Sequence, residues 1–143
     1  MGKQKTLFRK GAALGLAVSL CILFFTACGM QKLSGDFDEA AVKSGAEEVI
    51  QLIGDKDSDK LREMSNVRLK TALTDDVLDQ VYEAIGEGGA FKEIADMSVA
   101  GSKDRETEEE FAVVIAKAKY ENRNFTYTIS FTKQMKLAGL YYK

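Results

Sequence analysis

The chain has 143 residues, of which 45% are apolar and 29% are charged, so it can form one small domain and is too apolar for a disordered chain. It contains no His, which excludes His-based catalytic triads, zinc sites with His ligands and His-based pH switches. Residues 1–27 carry four basic and no acidic side chains, whereas residues 28–143 carry 16 basic and 22 acidic ones. The acidic excess of this second part argues against nucleic acid as a partner.

The N-terminal segment has the order of a secretory signal, with basic residues up to Lys10 and a weakly polar to apolar stretch without charges over residues 11–27. The stretch ends in Phe25-Thr26-Ala27-Cys28-Gly29, which resembles the lipobox of bacterial lipoproteins. In that pattern a large apolar residue and two small residues precede a Cys that is linked to diacylglycerol and becomes the new N-terminus. The resemblance implies that residues 1–27 are a signal peptide and that Cys28 carries the lipid anchor, with fatty acyl chains such as palmitate.

The alternative is an uncleaved N-terminal membrane helix that ends in Cys, although a stretch of 17 residues is at the lower limit for crossing a bilayer. Both interpretations place the rest of the chain outside the cytoplasm, because basic residues before a span stay on the cytoplasmic side. We therefore expect an extracytoplasmic protein on the outer face of the cell membrane. Cys21 would leave with the signal peptide, and an acylated Cys28 would provide neither a disulfide nor a nucleophilic thiol.

Residues 28–35 are predicted to be the lipidated Cys and a short tether, and residues 36–143 a single domain. The first half of that domain reads as helices. Asp36 and Glu39 have the spacing of a capping box and predict the start of the first helix, and Gly54 is its predicted end. Apolar residues recur between them at helical spacing, at Val42, Ala46, Val49, Ile50 and Ile53. Asp57 or Ser58 would cap a second helix, residues 67–73 form a third, and Thr74 would cap a fourth that ends at Gly86.

From Ala90 the apolar period changes from helical to alternating, which indicates strands. Strands are predicted over residues 91–100, 111–120, 125–132 and 137–142, with a charged hairpin loop over residues 102–110. In the third strand every second residue is predicted to be buried, at Phe125, Tyr127, Ile129 and Phe131. The residues between them are predicted to face water, at Thr126, Thr128, Ser130 and Thr132. The predicted fold class is α+β, with N-terminal helices packed on a four-stranded antiparallel sheet.

The order of elements, together with two short segments, resembles a known family, the bacterial domain of unknown function numbered 3887. The similarity lies in the helices, two long strands, the segment Gly89-Ala90-Phe91-Lys92-Glu93-Ile94 and the terminal Leu137-Ala138-Gly139-Leu140-Tyr141. That family belongs with the cone-like, cystatin-like folds of the nuclear-transport-factor-2-like superfamily. The resemblance implies a cone-like domain on a lipoprotein or secreted protein, and it brings no catalytic residues with it.

Two clusters of acidic residues could suggest metal binding. Asp55, Asp57 and Asp59 have the spacing of the first ligands of a calcium loop, but Lys60 stands where the turn needs Gly and Asn66 where a bidentate Glu is needed. The acidic run over residues 106–110 lies on the predicted hairpin loop, mixed with basic residues. We therefore predict a solvated helix cap and a solvated loop, with no metal site and no cofactor.

Four residues are candidates to line a pocket between the sheet and the helices: Tyr82, Asp96, Tyr127 and Tyr141. Cone-like folds include enzymes in which a carboxylate base acts beside a Tyr in an apolar pocket, and Asp96 alternates with Ile94 and Ser98 on the first strand. The aromatic residues could equally be ordinary core, namely Phe91, Phe111, Phe125, Tyr127, Phe131 and Tyr141.

The sequence as a whole favours a non-catalytic, membrane-anchored module that binds a small molecule or an envelope protein. The observations behind this expectation are the lipobox, the short tether, and the absence of His and of a free Cys. The alternatives are a small-pocket enzyme that uses a carboxylate and a Tyr, and a structural spacer in the cell envelope.

Overall fold

The computed structural model describes residues 30–143, so the predicted signal peptide and Cys28 lie outside the described residues. The described chain is a short strand, four helices and four further strands. These are β1 (Met30–Gln31), α1 (Glu39–Asp55), α2 (Ser58–Met64), α3 (Val67–Ala72), α4 (Asp75–Gly86), β2 (Phe91–Lys103), β3 (Glu110–Tyr120), β4 (Asn124–Phe131) and β5 (Leu137–Tyr142).

Local signals explain where the helices begin and end. Asp57, Asn66 and Thr74 each accept a hydrogen bond from a backbone N–H in the first turn of α2, α3 and α4, respectively. The first helix differs from the prediction at both ends. Its N-cap is Asp38 rather than Asp36, and it continues past Gly54 until Lys56 turns into the left-handed region, where its N–H bonds to the carbonyl of Ile53.

The strands form one curled antiparallel sheet in the order β1-β2-β3-β4-β5. The α+β class is confirmed, but the predicted count of four strands is wrong because β1 adds a fifth at the edge. Met30 and Gln31 pair with Ser102 and Gly101 of β2, which extends three residues beyond its predicted end. Gly101 permits this close approach, since a Cβ there would lie 2.4 Å from the carbonyl oxygen of Lys32.

The core lies between one face of the sheet, here called the inner face, and the helices. The inner face of β4 carries Phe125, Tyr127, Ile129 and Phe131, all buried as predicted. From α1 the core receives Val42, Ala46, Val49, Ile50, Leu52 and Ile53, and from α4 Leu78, Val81, Tyr82 and Ile85. Burial of these apolar surfaces is the main favourable contribution to folding.

The opposite, outer face of the sheet is less exposed than its alternating pattern predicts. Thr126 and Thr128 are half-buried, while Ser130 and Thr132 are buried, so the expectation of a fully wet face fails at these two residues. The segment that leads into α3 lies beside this part of the sheet, since the N–H of Asn66 donates to the carbonyl of Leu137. Packing from outside the strand therefore decides the exposure of these side chains.

Candidate functional site

A cavity of about 670 Å³ opens between the C-terminal half of α1, the end of α4 and the start of β2. This volume lies within the usual range for small-molecule sites. The lining is mostly apolar, with Ile50, Ile53, Ile85, Ile94, Phe91, Tyr82 and Tyr120. Both helices end at the cavity, α1 at its C-cap Lys56 and α4 at Gly86, and the start of β2 completes the lining.

The side chain of Phe91 stands at this cavity with 48% of its surface exposed, which corrects the alternative that placed it in the core. Its ring packs edge to face on Tyr120, with a centroid distance of 5.5 Å. Two register shifts follow it in β2, between Phe91 and Glu93 and again between Ile94 and Asp96. Such bulges redirect side chains, and here they accompany an aromatic ring that the core does not cover.

Tyr82 lines the cavity from α4, and its phenolic oxygen lies 2.9 Å from the hydroxyl oxygen of Ser58, at the start of α2. This hydrogen bond joins the start of α2 to α4. It also holds the hydroxyl of Tyr82, so the ring presents mainly apolar surface to the cavity.

A pair of tyrosines forms the wall on the sheet side. The hydroxyl oxygens of Tyr120 and Tyr127 are 2.6 Å apart, and Tyr127 is fully buried. Burial raises the pKa of Tyr120 above its ordinary value, although the hydrogen bond to Tyr127 opposes this. Burial, followed by the hydrogen bond to Tyr120, raises the pKa of Tyr127 much further. Both phenols are therefore protonated at neutral pH and act as a hydrogen-bonded structural pair.

The charged side chains of the lining are acidic with one exception. Glu47, Asp55 and Glu93 border the cavity, and Lys56 is the single basic residue among the described lining residues. The carboxylate of Glu93 is held by the ammonium group of Lys119, 3.0 Å away. Within residues 30–143, neither Glu47 nor Asp55 forms an ion pair.

The structure separates the four residues that were predicted to line a pocket. Tyr82 borders the cavity, and Tyr127 lies behind Tyr120 in the wall. Asp96 and Tyr141 lie on the outer face, where Asp96 pairs across the strands with Lys117, and Tyr141 with Thr128. Asp96 is exposed and forms no hydrogen bond with Tyr82 or Tyr127 in the described chain, so the expected placement of Asp96 beside a Tyr is wrong.

A second, smaller cavity of about 110 Å³ lies over the outer face of the sheet. Asn66, Arg68 and Asp104 border it, together with Ser102 and Ser130. The hydroxyl oxygens of these two serines are buried and have no hydrogen-bond partner among the described residues. The carboxylate of Asp104 accepts hydrogen bonds from the backbone N–H groups of Thr107 and Glu106 in the hairpin loop. These hydrogen bonds lower the pKa of Asp104.

In the acidic cluster Asp55, Asp57 and Asp59, two side chains contact helix α2 itself. Asp57 caps α2, and the carboxylate of Asp59 lies 4.0 Å from the guanidinium group of Arg62. Residues 30–143 contain no group of three or more potential ligand side chains that could hold a metal ion. The same part of the chain contains no helix long and apolar enough to cross a membrane.

Comparisons with known proteins agree with this architecture. A family model described as "Protein of unknown function (DUF3887)" matches residues 46–140. The solved structure described as "NMR structure of protein from Ruminococcus gnavus ATCC 29149" is similar, with a TM-score of 0.70 and 24% sequence identity. The match covers 78% of this chain and 96% of that one. No curated protein matches the chain significantly. The structural likeness concerns the fold alone.

Proposed function

Because the chain belongs to the family described as "Protein of unknown function (DUF3887)", whose description assigns no activity, we propose its function from the cavity. The domain is a non-catalytic module that binds a small molecule with an apolar body. The observation that carries this proposal is the 670 Å³ cavity with its mostly apolar lining. A structural spacer needs no such opening in its core.

The exposed ring of Phe91 supports the same proposal. Contiguous apolar surface that reaches solvent is typical of ligand-binding grooves, and the Phe91 ring extends the apolar lining of the cavity to the protein surface. A ligand that entered the cavity would cover Phe91 and the neighbouring faces of Tyr82 and Tyr120. A side chain of an envelope protein could enter in the same way, so the two partner classes share one site.

Equilibrium dialysis of the full chain in phosphatidylcholine nanodiscs against 4-phenylbutanol tests this proposal, with empty nanodiscs subtracted. We expect saturable binding, and Phe91→Ser should weaken it about 3- to 10-fold because part of the apolar contact is lost. Val67→Ser is the matched control, since Val67 is exposed and lies outside the cavity lining. Absence of saturable binding, or equal weakening by both variants, would contradict a binding site in this cavity.

We also propose that the domain is held at the outer face of the cell membrane by a lipid on Cys28. The support is the lipobox-like Phe25-Thr26-Ala27-Cys28 after a basic and apolar segment. Several acyl chains give stable anchoring, since each buried methylene contributes about 0.8 kcal/mol. Met30 and Gln31 pair with Ser102 and Gly101, near the end of β2 opposite Phe91, so the anchor would join the domain at the end away from the cavity.

Intact-mass analysis of protein extracted from membranes tests the anchor. The expected product lacks residues 1–27 and carries a diacylglyceryl group on Cys28, while Cys28→Ser should remain unprocessed and unlipidated. An intact Met1 on the wild-type chain, or cleavage at another position, would contradict the proposal. This outcome is independent of whether the cavity binds a ligand.

Membership of the nuclear-transport-factor-2-like, cystatin-like superfamily is part of the same proposal. A curled antiparallel sheet that holds helices on its inner face, with a cavity at one end, is the arrangement expected of such cone-like domains. Because function resides in a site and not in a fold, this assignment adds no activity of its own.

A further inference from the structure

We propose that the cavity selects ligands whose apolar body carries a positively charged group, such as an organic ammonium. This inference rests on the proposed function and names the ligand class of the same site. It follows from the charges around the cavity, which are independent of its apolar lining.

The first observation is the pair of carboxylates at Glu47 and Asp55. Both belong to α1, both are exposed at the cavity, and neither forms an ion pair within residues 30–143. Glu93 differs from them, because its carboxylate is already paired with the ammonium group of Lys119 and would attract a cationic ligand less. Two uncompensated carboxylates therefore remain available to a ligand, against the single ammonium group of Lys56.

The second observation is that two helices end at the cavity. Its lining includes residues 53–56 from the end of α1 and residues 85–86 from the end of α4. Neither helix has a basic residue in its last turn. A helix C-terminus carries a partial negative charge of roughly half an elementary charge, so two such ends favour a cation and disfavour an anion.

The third observation is the face of Phe91, an exposed aromatic ring in the same lining. Aromatic faces attract ammonium groups at exposed sites by about 0.5–1 kcal/mol. The cavity thus combines apolar walls for a ligand body with an acidic border and an exposed ring for a cationic head group. A carboxylate or phosphate head group would meet repulsion from the same elements.

Three probes with one apolar body separate charge from shape: 4-phenylbutylamine, 4-phenylbutanol and 4-phenylbutyrate. With the full chain in phosphatidylcholine nanodiscs, we expect equilibrium dialysis to show binding of the amine about tenfold tighter than that of the alcohol, with the acid weakest. Because the preference is electrostatic and partly exposed, raising the salt concentration from about 0.05 to 0.5 M should reduce it.

The double variant Glu47→Gln/Asp55→Asn should lower the affinity for the amine to near that for the alcohol, so that the ratio of the two affinities approaches one. Asp96→Asn is the matched control, because it removes an exposed carboxylate from the outer face of the sheet. Thermal unfolding of each variant verifies that it is folded.

The outcomes separate the two proposals. If the alcohol binds as tightly as the amine, or if Asp96→Asn has the effect of the double variant, the cationic preference is refuted while the cavity remains a binding site. If none of the three probes binds, the proposed function fails and this inference fails with it.

Discussion

The two ends of the core are built from the same elements, α1 against the inner face of the sheet, yet they differ in packing. At one end, here called the packed end, Phe131 is fully buried and Leu137 pairs beside it. Helix α1 approaches so closely that a Cβ on Gly45 would lie 3.0 Å from the Phe131 ring. At the other, the cavity end, Phe91 is half-exposed and 670 Å³ stays open. From this contrast we expect truncations at the packed end to destabilise the fold more than truncations at the cavity end.

The largest difference in the free energy of unfolding is expected when a Phe at each end is replaced by Ala. Phe131→Ala should lower the free energy of unfolding by about 3–5 kcal/mol, because it leaves a hole in a tightly packed region. Phe91→Ala should cost less than about 1 kcal/mol, because its ring is already half in water. Urea denaturation of both variants measures the difference. Equal losses would mean that the two ends do not differ in packing.

An intermediate effect is expected at the tyrosine pair that closes the cavity end. Tyr127→Phe should cost roughly 1–3 kcal/mol, because it leaves the hydroxyl of Tyr120 without its partner. The double variant Tyr120→Phe/Tyr127→Phe should cost less than the two single losses combined. Additive losses in this double-mutant cycle would show that the 2.6 Å contact is not coupled.

The same pair predicts a loss of stability in alkali. Because the folded-state pKa of Tyr127 is raised above the unfolded value near 10, its contribution is complete below pH 10 and declines as the pH rises further. The decline reaches at most about 1.4 kcal/mol per pH unit for one group. Tyr127→Phe should flatten the fall of the unfolding free energy above pH 10. An unchanged slope would contradict a protonated, buried Tyr127.

The smallest effect is expected on the surface, where the ammonium group of Lys133 lies 2.8 Å from the carboxylates of both Asp36 and Glu110. The hydrogen bonds that Lys133 donates, and then its positive charge, lower the pKa of each carboxyl group. The contribution of these carboxylates to stability is therefore present above about pH 4 and is lost as the pH falls further. Lys133→Met should lower the urea midpoint slightly at pH 7. The difference from wild type should disappear below pH 3, and a difference that grows in acid would contradict this pairing.

The helices and inner-face residues could be predicted from the sequence because their signals are local. Caps such as Thr74 and the alternation from Phe125 to Phe131 depend on neighbouring residues only. Strand β1 could not be predicted, since two residues show no period and pairing depends on the space above Gly101. The burial of Ser130 likewise depends on what lies over the outer face.

The site was partly predictable. Tyr82 follows from the helical spacing of α4, whereas Asp96 was expected on the face of Ile94. The register shift between these two residues places Asp96 on the other face, because one extra residue in a strand reverses its alternation. Glu47 was missed as a site residue, and Asp55 was examined only as a calcium ligand. Their only signal was their place on the polar side of α1, toward the end where apolar residues from other elements leave a gap.

Isoleucine methyl NMR of the full chain, titrated with 4-phenylbutanol, tests most directly whether the cavity end is the binding end. Ile50, Ile53, Ile85 and Ile94 line the cavity, whereas Ile115 and Ile129 lie elsewhere in the sheet. We predict saturable shifts of the four lining methyl signals with one common affinity, and unchanged signals for Ile115 and Ile129. Shifts confined to Ile115 and Ile129, or no saturable shift at any of the six, would contradict the account.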